Sequence, residues 1–246
     1  MIKTERKGVQ MDKFKISTIM PTYNVQGYID EAIQSVAEQE NDRIDLELII
    51  IDDGSTDGTV EVVCQSKEAF PGEIVVIQQN NEGPGAARNK GIQMATGDFI
   101  AFLDGDDMLY PDAYLKLLQS ATSNNADIVV GNVDRFNSTS NHFVSGLHRK
   151  IFDNDLSNTH IINNHSLLYD TTSWNKLFKA EFLKKYQILF PENILYEDIP
   201  FNMEAHLRST CTNIITDKVY RWRLRDGNDK SITQSRFEFK NLEDRI

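Results

Sequence analysis

Short apolar runs alternate with helix-like segments through the first half of the chain, and each run ends in a cluster of polar residues. The apolar runs are residues 16–20, 46–51, 74–78, 99–103 and 128–130. Between them, apolar residues recur every three or four positions, as at Ile29, Ile33 and Val36, which predicts amphipathic helices. Strands that alternate with helices at such intervals form βαβ units. The sequence therefore predicts an α/β fold with a mainly parallel central sheet and helices on both faces.

The polar clusters follow the carboxyl ends of the predicted strands, where ligands bind in open α/β sheets. The four clusters are Pro21–Asn24, Asp52–Asp57, Asn80–Gly85 and Asp104–Asp107. Because parallel strands present their carboxyl ends at one edge of a sheet, we expect the four clusters to lie together. In the second cluster, Ser55 or Thr56 is the expected N-cap of a helix over residues 59–66.

The sharpest chemical signal is Asp104-Gly-Asp106, which is followed by Asp107 at the end of an apolar run. Carboxylates at one point repel each other unless a cation joins them, and carboxylates with diphosphate oxygens are the usual environment of Mg²⁺ or Mn²⁺. On a continuing strand the side chains of Asp104 and Asp106 would face the same way. We predict that Asp106 binds a metal ion; the alternative is an acidic turn that caps the next helix.

Three further residues have the chemistry to bind a nucleotide. The carboxylate of Asp53 can accept a hydrogen bond from a base N–H, and Tyr23 can either stack on a base or pack against the strand edge. Arg88 follows Gly83-Pro-Gly85 at the start of a predicted helix, where the backbone favours an anion. The alternatives are that Asp53 only belongs to a turn and helix cap, and that Arg88 is a solvated surface residue.

Two acids, Glu197 and Asp198, stand before a helix that we predict from Pro200 to Arg208. In a transferase one of them would be the general base; the alternative is that both only provide favourable charges for the first helical turn. Backbone N–H groups at the helix start are expected to keep such a carboxylate ionised near neutral pH. Trp174 and Asn175 are candidates for the lining of a sugar or acceptor pocket.

These segments together resemble the family 2 inverting glycosyltransferases of the GT-A fold. The resemblance covers about residues 15–235, and the segments that carry it are Ile19–Asn24, Ile51–Asp57, Asn80–Arg88, Phe102–Asp107 and Tyr196–Asp198. Within the family, bacterial enzymes that act on surface glycans, including wall teichoic acid β-glycosyltransferases, are similar in the Glu197-Asp198 and C-terminal regions.

The resemblance implies a role for each matching residue on the nucleotide side. Pro21, Tyr23 and Asp53 would contact the base and ribose. Asn80 and Arg88 would help to hold the nucleotide.

On the diphosphate and acceptor side, the resemblance implies that Asp104 and Asp106 contact the ribose and the metal–diphosphate. Asp198 matches the catalytic base, and Glu197 is expected beside the nucleotide sugar. A basic, hydroxyl-bearing stretch that contains Arg225 and Ser231 would close over the diphosphate.

The predicted function is a metal-dependent, inverting glycosyltransferase of the hexosyltransferase type. It would move a sugar from a nucleoside-diphosphate donor, expected to be a UDP-sugar, to a hydroxyl of a glycan or polyol-phosphate acceptor, with Mn²⁺ or Mg²⁺ as cofactor. One alternative is a nucleotide-sugar-binding domain without transfer activity. The other is a nucleotidyltransferase, in which a Gly-rich basic turn would more often replace Pro21–Asn24.

The charge and the cysteine content of the chain bear on its binding partners and on its location in the cell. A net charge of −11 over 246 residues disfavours nucleic acid as a partner, because phosphate binding needs a basic face. Cys64 and Cys211 are far apart and are expected to be reduced thiols of a cytoplasmic protein, with the inner face of the membrane as an alternative location.

The expected boundaries are a leader or expression-derived segment over 1–12, a GT-A catalytic domain over 13–235, and the start of a C-terminal helix over 236–246. That last segment lacks a cap or terminator, so the natural chain is expected to continue. Peripheral membrane association is expected to depend on that continuation, and the sequence predicts no oligomeric state.

Overall fold

A computed structural model describes residues 12–138 and 150–225, together with the backbone of 141–143. Within these ranges the strands are β1 (Phe14–Thr22), β2 (Ile44–Asp52), β3 (Glu73–Gln78), β4 (Phe99–Phe102), β5 (Met108–Leu109), β6 (Ile128–Phe136), β7 (Asn141–Phe143), β8 (Leu156–Thr159), β9 (Lys176–Lys179) and β10 (Thr212–Arg223). The α-helices are α1 (Ile29–Ala37), α2 (Thr59–Ser66), α3 (Pro84–Met94), α4 (Ala113–Asn124), α5 (Ala180–Tyr186) and α6 (Asp198–Arg208). A 3-10 helix spans His165–Tyr169.

The strands form one mixed sheet in the order β3-β2-β1-β4-β9-β6-β10-β5, with β7 beside β6 and β8 beside β10. Strands β1 to β4 pair in parallel, and so do β6 and β10. Strand β9 lies between β4 and β6 and runs antiparallel to both, so β4 and β6 point the same way. The predicted α/β class is confirmed. The four-residue β9 was not predicted, because so short a run carries no periodic signal.

The centre of the sheet is covered on both faces. All residues of β2 from Leu46 to Asp52 are buried, as expected of a parallel strand that packs against other elements on either side. Helix α3 packs especially close to β1, since a Cβ atom at Gly91 would collide with the side chain of Ile19. This close approach places the first turn of α3 at the carboxyl edge of the sheet. Among the described residues no helix has the length and apolar character needed to cross a membrane.

Two predicted element boundaries are corrected by the structure. Strand β1 continues through Pro21 to Thr22, whereas the sequence indicated a turn from Pro21 onward. The backbone of Ile19 faces β4, and Pro21 faces the same side after β4 has ended, so its missing N–H removes no ladder bond. Helix α6 begins at Asp198 rather than at Pro200. A proline is tolerated there because the first-turn N–H groups have no intrahelical partner.

The expected capping of α2 is also wrong. The residue before the helix is Gly58, and the carboxylate of Asp57 accepts the backbone N–H of Thr59 at 3.0 Å. Ser55 instead accepts the backbone N–H of Asn24 at 3.0 Å and donates to Asp52. Within the second polar cluster, Asp57 therefore bonds to the start of α2, whereas Ser55 and Thr56 bond to Asn24 of the first cluster.

Candidate active site

The four polar clusters meet at the carboxyl edge of the sheet, as predicted. The first two are joined by the N–H of Thr56, which donates to Asn24 Oδ1 at 2.8 Å. The second and third are joined through Asp53, which accepts the N–H of Glu82. The fourth is joined to α3, the helix that follows the third cluster, through Arg88, whose Nη2 lies 2.7 Å from Asp104 Oδ1. The edge thus forms one connected polar surface.

Asp53 fastens the loop that leads into α3. Its carboxylate accepts the backbone N–H groups of Glu82 and Gly83, each at 2.8 Å, and the side-chain amide of Gln79 at 2.9 Å. The anion held at the start of α3 in this structure is therefore the protein's own Asp53. Its expected contact with a nucleobase stays a prediction, and any base contact would add to this structural role.

The acidic cluster forms a turn rather than the continuation of a strand. The N–H of Asp107 donates to the carbonyl of Asp104 at 3.0 Å, which closes the turn directly after β4. Asp104 faces Arg88, and Asp106 faces Arg225, whose Nε donates to Asp106 Oδ2 at 2.7 Å. The two carboxylates are thus held by two cations that lie far apart in the sequence, Arg88 and Arg225, which the alternation of side chains along a strand did not predict.

Asp107 and Tyr220 hold the acidic turn from behind. The Tyr220 hydroxyl donates to Asp107 Oδ2 at 2.7 Å and accepts the N–H of Asp104 at 3.2 Å. Burial, with the neighbouring charges of Asp106 and Asp104, raises the pKa of Asp107 well above its ordinary value. Tyr220 was not predicted as a site residue. Its only signal was a tyrosine in an apolar run, which also fits an ordinary core position.

Arg88 is the centre of the site rather than a surface residue, since only 4% of it is exposed. Its guanidinium contacts Asp104 and Glu197 and lies 3.6 Å from Asp198 Oδ1. Burial disfavours the charged form, but the three carboxylates outweigh this effect and raise the pKa of Arg88. Arg88 therefore joins the acidic turn to the start of α6. The predicted contact of Arg88 with a nucleotide is not tested.

Asp198 is the first residue of α6, and its Oδ1 accepts a hydrogen bond from Ser173 Oγ at 2.9 Å. Burial raises the pKa of Asp198 to about 6; Arg88 opposes this shift, and the charges of Glu197 and Asp104 add to it. The helix start was expected to keep this carboxylate ionised near neutral pH; desolvation outweighs the favourable contacts and raises the pKa, but only to a value below 7. At neutral pH the carboxylate is still mostly ionised.

The structure gives the positions of the remaining predicted residues, and their contacts with a nucleotide stay predictions. Tyr23 is 49% exposed at the carboxyl edge, as a stacking platform requires, and Asn80 is exposed on the loop after β3. Pro21 is partly buried at the end of β1. Ser231 lies outside the described residues, as do residues 1–11 and the expected C-terminal segment 236–246.

Trp174 and Asn175 do not line an open pocket. Trp174 is buried and stacks on Tyr220, with ring centroids 4.2 Å apart. Asn175 is fully buried and donates from its side chain to the carbonyl of Gly131 at 3.0 Å. Both residues instead connect the segment before β9 to the rest of the fold.

The acidic turn fits a cation only if a ligand completes the coordination. Across 12–138 and 150–225, no group of three or more His, Cys, Asp and Glu side chains is arranged to hold a metal ion. Asp104 and Asp106 supply hard oxygen donors, and Mg²⁺ is commonly bound through one or two carboxylates plus substrate phosphates. Burial and the charge of Asp104 raise the pKa of Asp106, although Arg225 opposes this. The donor set therefore suits a metal–diphosphate rather than a metal alone.

The fold and the site define an α/β domain with an acidic, polar site at the carboxyl edge of its sheet, and comparison with known proteins gives its family. The model of glycosyl transferase family 2 matches residues 17–187, so the chain belongs to that family. The resemblance inferred from the sequence motifs is thereby confirmed. Membership favours the glycosyltransferase interpretation over a nucleotidyltransferase.

Individual relatives agree with this assignment. The chain is similar to a poly(ribitol-phosphate) beta-glucosyltransferase of Bacillus spizizenii, with 32% identity over 222 residues, which cover 89% of this chain and 34% of the relative. It is similar to TarS of Staphylococcus aureus, a poly(ribitol-phosphate) beta-N-acetylglucosaminyltransferase, with 28% identity over 219 residues, which cover 88% of this chain and 37% of TarS. The chain thus spans about a third of the length of these relatives.

A solved structure supports the same fold. The crystal structure of S. aureus TarS 1-349 in complex with UDP-GlcNAc matches with a TM-score of 0.77 and 27% identity, over 87% of this chain and 60% of that chain. The predicted GT-A fold is confirmed by this match.

Proposed function

We propose that this chain is the catalytic domain of an inverting glycosyltransferase that transfers a sugar from a UDP-sugar to a hydroxyl of a polyol-phosphate polymer. The observation that carries the proposal is the buried contact of Arg88 with Asp104 on one side and with Glu197 and Asp198 on the other. Asp104, an acid suited to a metal–diphosphate, and Asp198, an acid suited to proton removal, are thereby held at one guanidinium. The names of the similar B. spizizenii and S. aureus enzymes support the choice of acceptor and donor.

Asp198 is the group proposed to take the proton from the acceptor hydroxyl. An alcohol has a pKa far above 7, so its proton must pass to a positioned base as the hydroxyl attacks. A single displacement of this kind inverts the anomeric centre and needs no nucleophile from the protein. Asp198 suits the role because it is mostly ionised at neutral pH and still basic enough to accept a proton.

The leaving nucleoside diphosphate needs its developing charge neutralised. Arg225 is placed to contribute, because its guanidinium already lies against Asp106 at the carboxyl edge. Asp106, with Asp104, would hold Mn²⁺ or Mg²⁺ together with the diphosphate. When bound, such a cation supplies positive charge to the leaving phosphate oxygens. Tyr23, Asn80 and the edge of β1 at Pro21 are the proposed nucleotide contacts.

A transfer assay tests the proposal directly. The chain is incubated with Mn²⁺, unsubstituted poly(ribitol phosphate) and either UDP-glucose or UDP-N-acetylglucosamine, and sugar in the polymer is measured by mass spectrometry. Transfer with inversion at the anomeric carbon, read by NMR, is the expected result. If the chain binds the UDP-sugar but neither transfers the sugar to this polymer nor hydrolyses the UDP-sugar slowly, the result would instead favour the non-catalytic nucleotide-sugar-binding alternative.

A further inference from the structure

The segment that precedes β9 contains a side chain that holds the proposed base. Ser173 is fully buried, and its Oγ donates to Oδ1 of Asp198 at 2.9 Å. Ser173 comes from a different part of the chain from the site motifs. It was not predicted from the sequence, and it has no role in the proposed reaction. A neutral donor at this point fixes one carboxylate oxygen without removing the negative charge of the carboxylate.

The segment that carries Ser173 is held by a buried ion pair. Asp170 and Lys176 lie at its two ends with fully buried side chains, and Lys176 Nζ is 2.7 Å from Asp170 Oδ2. Lys176 Nζ also donates to the carbonyl of Thr172 and, at 3.0 Å, to Asn175 Oδ1. One ammonium group therefore closes the segment on itself. Because an opened pair would leave two unpaired charges buried, the two ends of the segment stay together in the folded protein.

The same segment is attached to the strand and the helix on either side of it. Asn175 bonds to Gly131 of β6 twice, by its side-chain amide at 3.0 Å and by its carbonyl, which accepts the Gly131 N–H at 2.9 Å. Asn202 of α6 donates to the carbonyl of Thr171 at 3.0 Å and to that of Asp198 at 2.7 Å. The backbones that carry Ser173 and Asp198 are thus tied together independently of the Ser173 hydroxyl.

We propose that Ser173 is a positioning residue for the Asp198 base, and that its hydroxyl orients the carboxylate so that the second oxygen receives the acceptor's proton. The inference rests on the proposed function, in which Asp198 is the base. If Ser173 served only packing, its removal would change stability alone. If it positions the base, its removal changes the rate of transfer and the titration of Asp198.

Several charges act on Asp198, and their balance gives the sign of the expected titration change. Arg88 of α3 and Lys176 of β9 favour the ionised form of Asp198. Its neighbour Glu197 and Asp104 of the acidic turn oppose it. The hydrogen bond from Ser173 lowers the pKa of Asp198. Loss of this bond therefore raises the pKa, while all four charges stay in place.

Ser173→Ala is the test variant, and Ser209→Ala is its matched control. Ser209 is also buried and lies at the other end of α6, where its hydroxyl contacts His206 and Thr212 rather than Asp198. In the transfer assay, Ser173→Ala should reduce kcat at least ~10-fold, the scale of losing a hydrogen bond to a charged group, with KM for the UDP-sugar within about twofold of wild type. Ser209→Ala should keep both constants at comparable melting temperature.

A second readout does not require transfer. The carboxyl carbon of Asp198 is followed by NMR against pH, and its midpoint should rise in Ser173→Ala and stay unchanged in Ser209→Ala. Ser173→Thr, which keeps the hydroxyl, should restore both the midpoint and kcat. If Ser173→Ala does not fold, Ser173→Cys keeps a side chain of similar size with a weak donor and should show the same two changes.

The outcomes separate the two proposals. A wild-type chain without transfer refutes the proposed function, yet the midpoint still reports whether Ser173 acts on Asp198. A wild-type chain that transfers, beside a Ser173→Ala variant with unchanged kcat and unchanged midpoint, overturns the positioning role of Ser173 alone.

Discussion

Arg88 and Asp104 form a 2.7 Å ion pair whose cation is almost completely buried, while the same guanidinium contacts Glu197. Arg88 thereby joins the turn after β4 to the start of α6, although these two segments lie far apart in the sequence. A single side chain of α3 thereby fixes the spacing between the proposed donor-binding acids and the proposed base.

Arg88→Leu should destabilise the protein strongly. The change leaves Glu197, which is also buried, without its cation, and an unpaired buried charge costs about 3–5 kcal/mol. Urea denaturation followed by fluorescence measures the loss in the free energy of unfolding. Arg208→Leu, which removes an exposed i,i+4 pair with Glu204, is the control and should cost less than about 1 kcal/mol. Equal losses in the two variants would contradict the central role of Arg88.

Asp198→Asn should abolish transfer while donor binding persists. The amide keeps the shape of the side chain but cannot accept the acceptor's proton, so kcat should fall at least ~100-fold. Calorimetric titration with a UDP-sugar should give a dissociation constant within about threefold of wild type. Glu204→Gln on the exposed side of α6 is the matched control and should transfer normally. Transfer by Asp198→Asn within about threefold of wild type would refute the base assignment.

Transfer should decline in acid because of Asp198. Its pKa is raised to about 6, so the carboxylate is mostly ionised at pH 7 and becomes protonated as the pH falls through that value. The rate at saturating donor should therefore fall roughly tenfold for each pH unit below the midpoint. Initial rates from pH 5 to 8 measure this, with melting temperatures at each pH as the control for folding. A flat profile over this range would exclude Asp198 as the titrating base.

Transfer should depend on a divalent cation bound through Asp106. Asp106→Ala removes a carboxylate from the acidic turn and should lower kcat at least ~100-fold. EDTA should abolish wild-type transfer, and added Mn²⁺ or Mg²⁺ should restore it. Asp153→Ala, a change to an exposed acid, serves as the control for net charge. Full wild-type transfer in EDTA would disprove the cation requirement.

Tyr23 offers a cleaner test of nucleotide binding than Asp53. Asp53 fastens the loop before α3, so its substitution mixes binding with stability. Tyr23→Ala removes an exposed ring and should weaken UDP binding by ~1–3 kcal/mol, the usual scale of base stacking, with little change in the melting temperature of the free protein. Wild-type protein should be stabilised more by UDP than by GDP or ADP. An equal shift with GDP would count against a uridine site.

The sequence was sufficient for the α/β class and for the location of the site. Apolar runs followed by polar clusters predicted both the α/β class and the meeting of Asn24, Asp53 and Asp104 at one edge. These features are local, because each depends on the residues next to it in the chain. Local pattern is the part of the fold that a single sequence carries most directly.

The partners of each site residue were not predictable in the same way. Arg88 was expected to hold a nucleotide, which stays a prediction, whereas its buried contact with Glu197 across the fold was not predicted. The pKa of Asp198 was expected to be set by the helix start, but burial decides it. Ser173 and Tyr220 carried no recognisable motif. Such contacts join distant segments, and they depend on packing distances that one sequence without its fold does not contain.

The position of β9 has a consequence for how the protein reaches its native state. Strands β4 and β6 are both synthesised before β9, yet each pairs with β9 rather than with the other. Until Lys176–Lys179 leaves the ribosome, both strands present unpaired backbone edges, which favour association with other chains. The nascent protein therefore passes through a stage in which β6 is not yet joined to the sheet that contains β4. We expect chaperone dependence to be greatest at that stage, to fall when β9 inserts, and to end when β10 pairs with the other edge of β6.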